Sequence, residues 1–179
     1  MIMEHTKKDR VPYDLWVNNG LIEAKPGKTI DYEYIAMKVY ELHSLHNIAE
    51  LRFDRWRIED FQKALDKIGC ENHIQGKEEP QSESSLCLVP HGQGFKDISP
   101  AIEAVEDVFT ESRARHGGNP VLTNCVANTV VTHDPANNRK FEKRKSTGRI
   151  DGTVAMAMAM NSAELPEVED NSQPAVIFI

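Results

Sequence analysis

The sequence predicts an α/β domain built on a small mixed sheet. Segments of ten or more residues with helical spacing of apolar side chains alternate with short apolar runs that are typical of strands. Such alternation indicates helices packed on a sheet. The 179 residues are 40% hydrophobic and 27% charged, which is enough to bury a core. We therefore expect one folded domain over 1–162 and an acidic tail over 163–179.

The first half of the chain predicts a helix, a strand and a second helix. Residues 11–20 form a short amphipathic segment that an Asn-Asn-Gly turn ends. A helix is predicted over 31–46, and Asp31 is a suitable N-cap. Its apolar side chains recur at one-turn spacing: Ile35, Val39 and Leu42. The short apolar run over 47–54 favours a strand, and helical spacing returns over 58–68.

The middle of the chain predicts a short strand followed by a long helix. The strand is expected over 86–89, and a glycine-containing turn over 91–94 follows it. Ser99 is a suitable N-cap, and Pro100 suits the first helical position. An apolar stripe then continues to Phe109, which predicts a helix from Ser99 onward.

The last third predicts a helix, a strand, a turn and a buried helix. A helix is expected over 121–127, a strand over 129–133 and a turn over 134–138. Over 150–161 small and Met residues alternate with a period of two. We nevertheless predict a buried helix there, because Ala and Met favour helices and β-branched residues are nearly absent.

Composition argues against several classes of protein. Three cysteines, none in a CxxC pair, argue against a disulfide framework and against a structural zinc site. No apolar stretch approaches the length of a membrane span, and no hydrophobic segment follows the charged N-terminus. We expect a soluble cytoplasmic protein with no membrane partner. No GxxxxGK[ST] loop occurs, so ATP hydrolysis by that route is not expected in this chain.

A local cluster of positive charge stands out on an acidic chain of net charge −7. Six basic residues and a single acid lie within eleven positions, and we call the six the basic strip: Arg139, Lys140, Lys143, Arg144, Lys145 and Arg149. Such a cluster can bind phosphate, although a solvated loop of the same composition is equally consistent with the pattern.

Asp54 is the first candidate for site chemistry, because it ends a predicted strand. Ligands of open α/β sheets gather beyond the carboxyl ends of strands, where a carboxylate could hold a hard cation. A strand-ending or helix-capping aspartate is the alternative, since Asp is a common N-cap.

Asp151 is the second candidate, at the start of the predicted Ala/Met helix and just after the basic strip. Capping of that helix is again the alternative. If the fold brings Asp54 and Asp151 together beside the strip, they could bind divalent metal that faces a phosphate backbone. Two-metal phosphodiester cleavage uses such a layout, although two carboxylates are few ligands for two ions.

His116 is a third candidate, next to Gly117 and Gly118 in a predicted turn. It could orient a phosphate or a water molecule there, whereas an ordinary surface histidine is the alternative.

Several short strings occur in order along the chain. They are Val11-Pro-Tyr-Asp-Leu-Trp-Val17, Leu51-Arg-Phe-Asp-Arg-Trp56, Gln93-Gly-Phe95, His116-Gly-Gly-Asn-Pro120, Asn128 and Arg149-Ile-Asp-Gly152 with the helix that follows. Over about 11–160 this ordered set resembles the C-terminal nuclease region of tailed-bacteriophage terminase large subunits. The resemblance implies a ribonuclease H-like fold and an endonuclease that uses Mg²⁺ or Mn²⁺ to cut concatemeric viral DNA during packaging.

The resemblance also implies roles for individual residues. Asp54 matches the strand-end acidic metal ligand of the family, and Asp151 matches the acid of its Lys/Arg-Ile-Asp-Gly string. His116 and Asn119 fall in recurring strings, as does Lys145, and together with the rest of the basic strip they would support the active site or bind DNA. Implied partners are double-stranded DNA, a terminase small subunit, a portal or an upstream terminase fragment, in the cytoplasm of a bacterial host.

Two parts of the family pattern do not occur in this sequence. Family members resemble an ATPase motor followed by a nuclease whose first strand carries a metal-binding aspartate, and no such string precedes Val11. We therefore expect a fragment that cleaves DNA weakly or not at all by itself. The alternatives are a non-catalytic module that binds DNA or a packaging partner, and a decayed prophage remnant.

Overall fold

The computed structural model describes residues 2–27, 29–46, 48–55 and 58–161. It divides the chain into two compact units, which we call the sheet unit (Gly27–Asp97) and the terminal unit (up to Pro26 and from Ile98 onward). The predicted tail lies outside the described residues, so the boundary at 162 stays a prediction. Within the described ranges, no helix has the length and apolar content that a membrane span requires.

Helices and strands alternate along most of the chain, as the sequence predicts. In order they are α1 (Ile2–Asp9), α2 (Tyr13–Asn18), α3 (Tyr32–His46), β1 (Glu50–Asp54), α4 (Ile58–Lys67), β2 (Asn72–Ile74), β3 (Leu86–His91), α5 (Phe95–Thr110), α6 (Pro120–Asn128), β4 (Val131–His133), β5 (Arg139–Phe141) and α7 (Asp151–Met160). The predicted α/β class is confirmed.

The sheet unit is organised around three parallel strands in the order β1-β3-β2. Strands β1 and β2 pair with opposite edges of β3, and the connection between them contains α4. Leu65 on α4 and both Leu86 and Leu88 on β3 are fully buried and form the centre of the core. Strand β3 is the central strand, and every one of its side chains is buried or half-buried. A nearly continuous apolar sequence is typical of a strand in such a position.

Only part of the predicted apolar stripe of α3 packs on the core: Val39 does, together with Tyr32 and Ala36. Asp31 does cap the helix, because its Oδ1 accepts the Tyr34 N–H at 3.1 Å. However, Ile35 is 41% exposed, whereas Ala36 is fully buried. The small Ala36 side chain lets α3 approach α4 closely. The face of α3 that contacts α4 is therefore the one that carries Ala36, and not the one with the largest apolar side chains.

The predicted start of α5 at Ser99 is wrong. The helix begins at Phe95, so Pro100 lies in its second turn. Ser99 is not free to cap, because its Oγ accepts the backbone N–H of Arg139 at 3.0 Å. Pro100 lies beyond the first four N–H groups of the helix, so it removes one intrahelical hydrogen bond, the one to the Lys96 carbonyl oxygen, and the helix continues past it.

Helix α7 is buried along most of its length, as predicted from its Ala and Met content. Its buried side chains are Thr153, Val154, Met156, Ala157, Met158 and Met160. Gly152 lies close to α6, because a Cβ there would be 3.2 Å from the Cys125 Sγ. The Thr129 hydroxyl donates to the Thr153 Oγ1 at 3.0 Å. Close approach and a polar bridge therefore fix α7 on α6.

The strands β4 and β5 form an antiparallel hairpin that opens the basic strip. Strand β5 was not expected from the sequence, because Arg139 and Lys140 are poor strand formers without a partner. The turn is fixed by Asp134, whose Oδ1 accepts the N–H groups of Ala136 at 2.9 Å and of Asn138 at 2.8 Å. Asn137 takes a φ of 65°, a conformation that Asn tolerates.

Asp134 makes the hairpin turn sensitive to acid. The Asn138 side-chain amide, followed by the backbone N–H groups of Asn138 and Ala136, lowers the pKa of the Asp134 carboxyl. Its contribution to stability is therefore complete above its ordinary pKa and is lost as pH falls through the lowered value. In an NMR titration we expect the pKa of the carboxyl to lie below the ordinary range, and the protection factor of the Asn138 amide to fall when the carboxyl is protonated.

The control is Asp134→Ala, in which the Asn138 amide should exchange fast at neutral pH and show no change linked to this carboxyl on acidification. A carboxyl that titrates at its ordinary value in the wild-type protein would show that the turn does not stabilise the charged form.

Candidate functional site

Asp54 is the last residue of β1, at the carboxyl edge of the parallel sheet. Its side chain is exposed, and in the register of β1 with β3 it lies beside His91. Helix α4 begins only at Ile58, so Asp54 is not in the position of its N-cap. Because parallel strands gather their carboxyl ends at one edge, Asp54 occupies the part of the sheet where ligands of such folds bind.

His91 and Asp97 lie at the same edge, and the sequence indicated neither of them. His91 is 3% exposed, and its Nδ1 donates to the Gly92 carbonyl oxygen at 2.8 Å in the tautomer with a proton on Nδ1. The Asp97 carboxylate packs against Gly92, where a Cβ would lie 2.0 Å from the Asp97 Oδ2. Gly92 therefore makes room for an acid beside the strand ends that carry Asp54 and His91.

Asp151 is the first residue of α7, and its side chain is 71% exposed. Ile150 occupies the N-cap position, so Asp151 is not the cap. The positive end of the helix dipole still favours a carboxylate in the first turn. Lys143 Nζ lies 3.7 Å from Asp151 Oδ1 and brings the basic strip to this carboxylate.

The basic strip is divided between the hairpin and the loop that leads to α7. Arg139 Nη1 binds Glu106 Oε2 at 2.6 Å, so its charge is largely committed to α5. The exposed members are Lys143, Arg144, Lys145 and Arg149. These four precede Asp151 in the sequence and present their charges to solvent, where they can contact a phosphate backbone.

Asn128 anchors the loop between the basic strip and Asp151. Its Oδ1 accepts the Thr147 hydroxyl at 2.9 Å, and its Nδ2 donates to Asn124 Oδ1 at 3.0 Å. Gly148 packs directly on this amide, because a Cβ there would lie 2.6 Å from Asn128 Nδ2. The loop is thus held on the end of α6, immediately before the residue that carries the carboxylate.

His116 and Asn119 lie in the turn that precedes α6. Asn119 is the N-cap of α6, and its Oδ1 accepts the N–H groups of Val121 at 2.9 Å and Leu122 at 3.3 Å. His116 is exposed, and its ring lies 5.6 Å from that of Phe109. Asn119 therefore stabilises the start of α6. A role in binding DNA for His116 or Asn119 stays a prediction.

Carboxylate oxygen is the ligand type that Mg²⁺ and Mn²⁺ prefer, and both units expose it. Asp54 belongs to the sheet unit and Asp151 to the terminal unit. Among the residues that the structure describes, no group of three or more His, Cys, Asp and Glu side chains could hold a metal ion. The donor chemistry fits these cations, whereas the described ligand set does not by itself complete a site.

The family model for the endonuclease domain of the terminase large subunit matches residues 2–167. This chain belongs to that family. The terminase nuclease domain is 44% identical over 160 residues to the large terminase subunit of Enterobacteria phage HK97, across 89% of this chain and 29% of that protein. It is 26% identical over 160 residues to protein YmfN of Escherichia coli K12, across 88% of this chain and 32% of that protein.

The fold of this terminase nuclease domain is similar to a solved structure as well. The crystal structure of the HK97 bacteriophage large terminase superposes with a TM-score of 0.78 at 44% identity, over 90% of this chain and 31% of that chain. The chain thus spans about three tenths of the length of the relatives it matches.

The anchoring role of Asn128 in this terminase nuclease domain can be tested with Asn128→Ala. The change removes the bonds to Thr147 and Asn124, and we expect about 1 kcal/mol of lost stability. Amide exchange at Ser146–Arg149 should accelerate more than global unfolding explains, because the loop loses its attachment to α6.

The matched control is Asn18→Ala, which removes an exposed amide at the end of α2. It should leave exchange in the loop unchanged. If Asn128→Ala also leaves loop exchange unchanged, then Asn128 does not position the approach to Asp151.

Proposed function

We propose that this chain is the DNA-cutting part of a phage or prophage terminase, and that it makes metal-dependent breaks in double-stranded DNA when concatemeric genomes are packaged. Membership of the endonuclease family supports the reaction class. The observation that carries the proposal is the exposed carboxylate of Asp151, which begins α7 directly after four exposed basic side chains. Nuclease chemistry needs such a combination of oxygen ligands and phosphate-binding cations.

Asp54 and Asp151 are the proposed protein ligands for Mg²⁺ or Mn²⁺. Both are exposed, so binding a cation does not require opening the core. Mg²⁺ usually keeps several waters and takes one or two carboxylates together with substrate phosphate oxygens, so a sparse protein ligand set is compatible with it. When bound, the ion would lower the pKa of a coordinated water and neutralise charge that develops on the phosphate.

The remaining residues bind and orient the DNA in this proposal. Lys143, Arg144 and Lys145 contact backbone phosphates, which fixes the strand without reading its sequence. Lys143 also forms an ion pair with Asp151, so a phosphate that approaches this carboxylate lies close to a positive charge. Asn128 keeps the loop that carries Arg149 in place through Thr147 and the backbone at Gly148.

The proposed setting is the cytoplasm of a bacterial host, with double-stranded DNA as substrate. A terminase small subunit, a portal and an upstream terminase segment are the proposed protein partners. Such partners would raise the local concentration of DNA at a domain whose overall charge is −7 and which repels DNA except at the basic strip.

Plasmid cleavage tests the proposal. Supercoiled plasmid is incubated with the folded chain and Mn²⁺, and nicked and linear products are followed over time. We expect Asp54→Asn and Asp151→Asn each to lower the rate by about 100-fold or more, the size seen when one electrostatic contribution to a transition state is removed. The matched control is Asp107→Asn on α5, an exposed carboxylate outside the site, which should cut at the wild-type rate.

Two results would contradict the proposal. Cleavage that survives both substitutions would exclude these carboxylates as ligands. A folded wild-type chain that binds DNA with strong salt dependence but makes no metal-dependent cut, even at the slow rate expected of it alone, would replace the nuclease by a binding module that uses the basic strip.

A further inference from the structure

A pocket of about 340 Å³ opens in the terminal unit beside Asp151. Its apolar lining residues, which we call the floor, are Ile2, Val17, Ile22 and Ala24. The volume lies at the lower end of the range for small-molecule sites, so it suits a ligand of the size of a single nucleotide. We call it the Tyr13 pocket.

Helical spacing explains why these side chains face one space. Ile2, His5 and Asp9 recur at i, i+3 and i+7 on α1, so they share one face of that helix. Tyr13 and Val17 are one turn apart on α2, which packs against α1. The pocket is therefore built from two facing helix surfaces, and its shape does not depend on a single loop.

The polar lining residues of the pocket, which we call the rim, carry both signs of charge. They are His5, Asp9, Tyr13, Arg149 and Asp151. The Tyr13 hydroxyl donates to Asp9 Oδ2 at 3.3 Å. Burial and the neighbouring Asp9 carboxylate raise the pKa of Tyr13, against a smaller opposite effect of Arg149. The hydroxyl therefore keeps its proton at neutral pH and remains a hydrogen-bond donor.

The orientation of the Tyr13 ring is fixed as well. It meets the buried Trp16 ring edge-on, with centroids 5.8 Å apart and planes at 81°. A fixed aromatic ring can accept a flat ligand against its surface with little loss of conformational freedom. The pocket thus combines an aromatic wall, an apolar floor and a guanidinium at its rim.

We propose that the Tyr13 pocket binds one unpaired nucleoside of the DNA strand, next to the phosphate that Asp151 faces. The inference rests on the proposed nuclease function, since it takes Asp151 as a metal ligand close to the cut. Arg149 binds the phosphate of this nucleotide, which it can contact through two N–H groups. The base lies against Tyr13, while Val17 and Ala24 cover the deoxyribose.

Only an unpaired nucleotide can enter, because the bases of an intact duplex are stacked and hydrogen-bonded. Occupation of the pocket therefore selects DNA that is locally opened at the cut. His5 and Asp9 face the edge of the base and give it a preference among the four bases, while the Tyr13 hydroxyl orients the Asp9 carboxylate.

The test uses the full folded chain and thymidine 5′-monophosphate as the probe, without metal. Amide signals are followed by NMR as the nucleotide is added, and inorganic phosphate is titrated in parallel. We expect the nucleotide to shift Tyr13, Val17, Ala24 and Arg149. Inorganic phosphate should shift Arg149 and leave Val17 and Ala24 unchanged, because it has no part that fills the apolar floor.

Two variants fill the pocket and one serves as their matched control. Val17→Phe and Ala24→Leu place extra carbon atoms in the floor, and each should raise the dissociation constant of the nucleotide at least about tenfold. Leu15 on α2 is 56% exposed and lies outside the pocket. Leu15→Phe should therefore change the dissociation constant of the nucleotide by less than about twofold. Ala24 is exposed, so Ala24→Leu keeps the test valid if Val17→Phe does not fold.

The outcomes separate this inference from the nuclease proposal. A chain that cuts plasmid but shows no nucleotide shifts in the pocket, or equal affinity in the filled variants, overturns the pocket and leaves the nuclease intact. A chain that binds the nucleotide in the pocket but cuts no DNA overturns the nuclease and supports the pocket as a nucleotide site.

Discussion

The close contact between α6 and the segment that enters α7 is the constraint on which the candidate site depends. Two glycines make it possible, since Gly148 lies against the Asn128 amide and Gly152 against Cys125. Any side chain at Gly148 would displace that amide. With α6 and α7 fixed in this way, the exposed Asp151 carboxylate is held by a buried helix, whereas the neighbouring cations stay in solvent. A rigid support under an exposed ligand is what a metal-dependent site requires.

Much of the fold follows from local patterns, and the errors have identifiable causes. Helical spacing locates α3 and α4, and the Ala and Met content locates α7 although its small and Met residues alternate with a period of two. The start of α5 is missed because Ser99 is a residue type that often caps helices. In the structure its hydroxyl oxygen instead accepts a hydrogen bond from the backbone N–H of Arg139 in the hairpin. Strands β2 and β5 have three residues each, which is too short for a periodic pattern in the sequence. They are formed by pairing, β2 with β3 and β5 with β4.

The candidate site divides in the same way. Asp54 and Asp151 can be found from sequence because a strand end and a helix start are local features, and the basic strip is contiguous. His91 and Asp97 cannot, because their place beside Asp54 depends on the pairing of β1 with β3 and on the missing side chain at Gly92. The anchor at Asn128 is likewise visible only after α6 and the 147–148 loop have come together.

The central claim is that Asp54 and Asp151 are ligands for a divalent cation, and paramagnetic NMR with Mn²⁺ tests it most directly. At low Mn²⁺ concentration, the account predicts selective broadening of amide signals around Asp54 and around Asp151. Asp151→Asn should abolish broadening at the start of α7, and Asp107→Asn should not. Broadening confined to other acidic residues, such as Asp134, or unchanged by Asp151→Asn, would contradict the account.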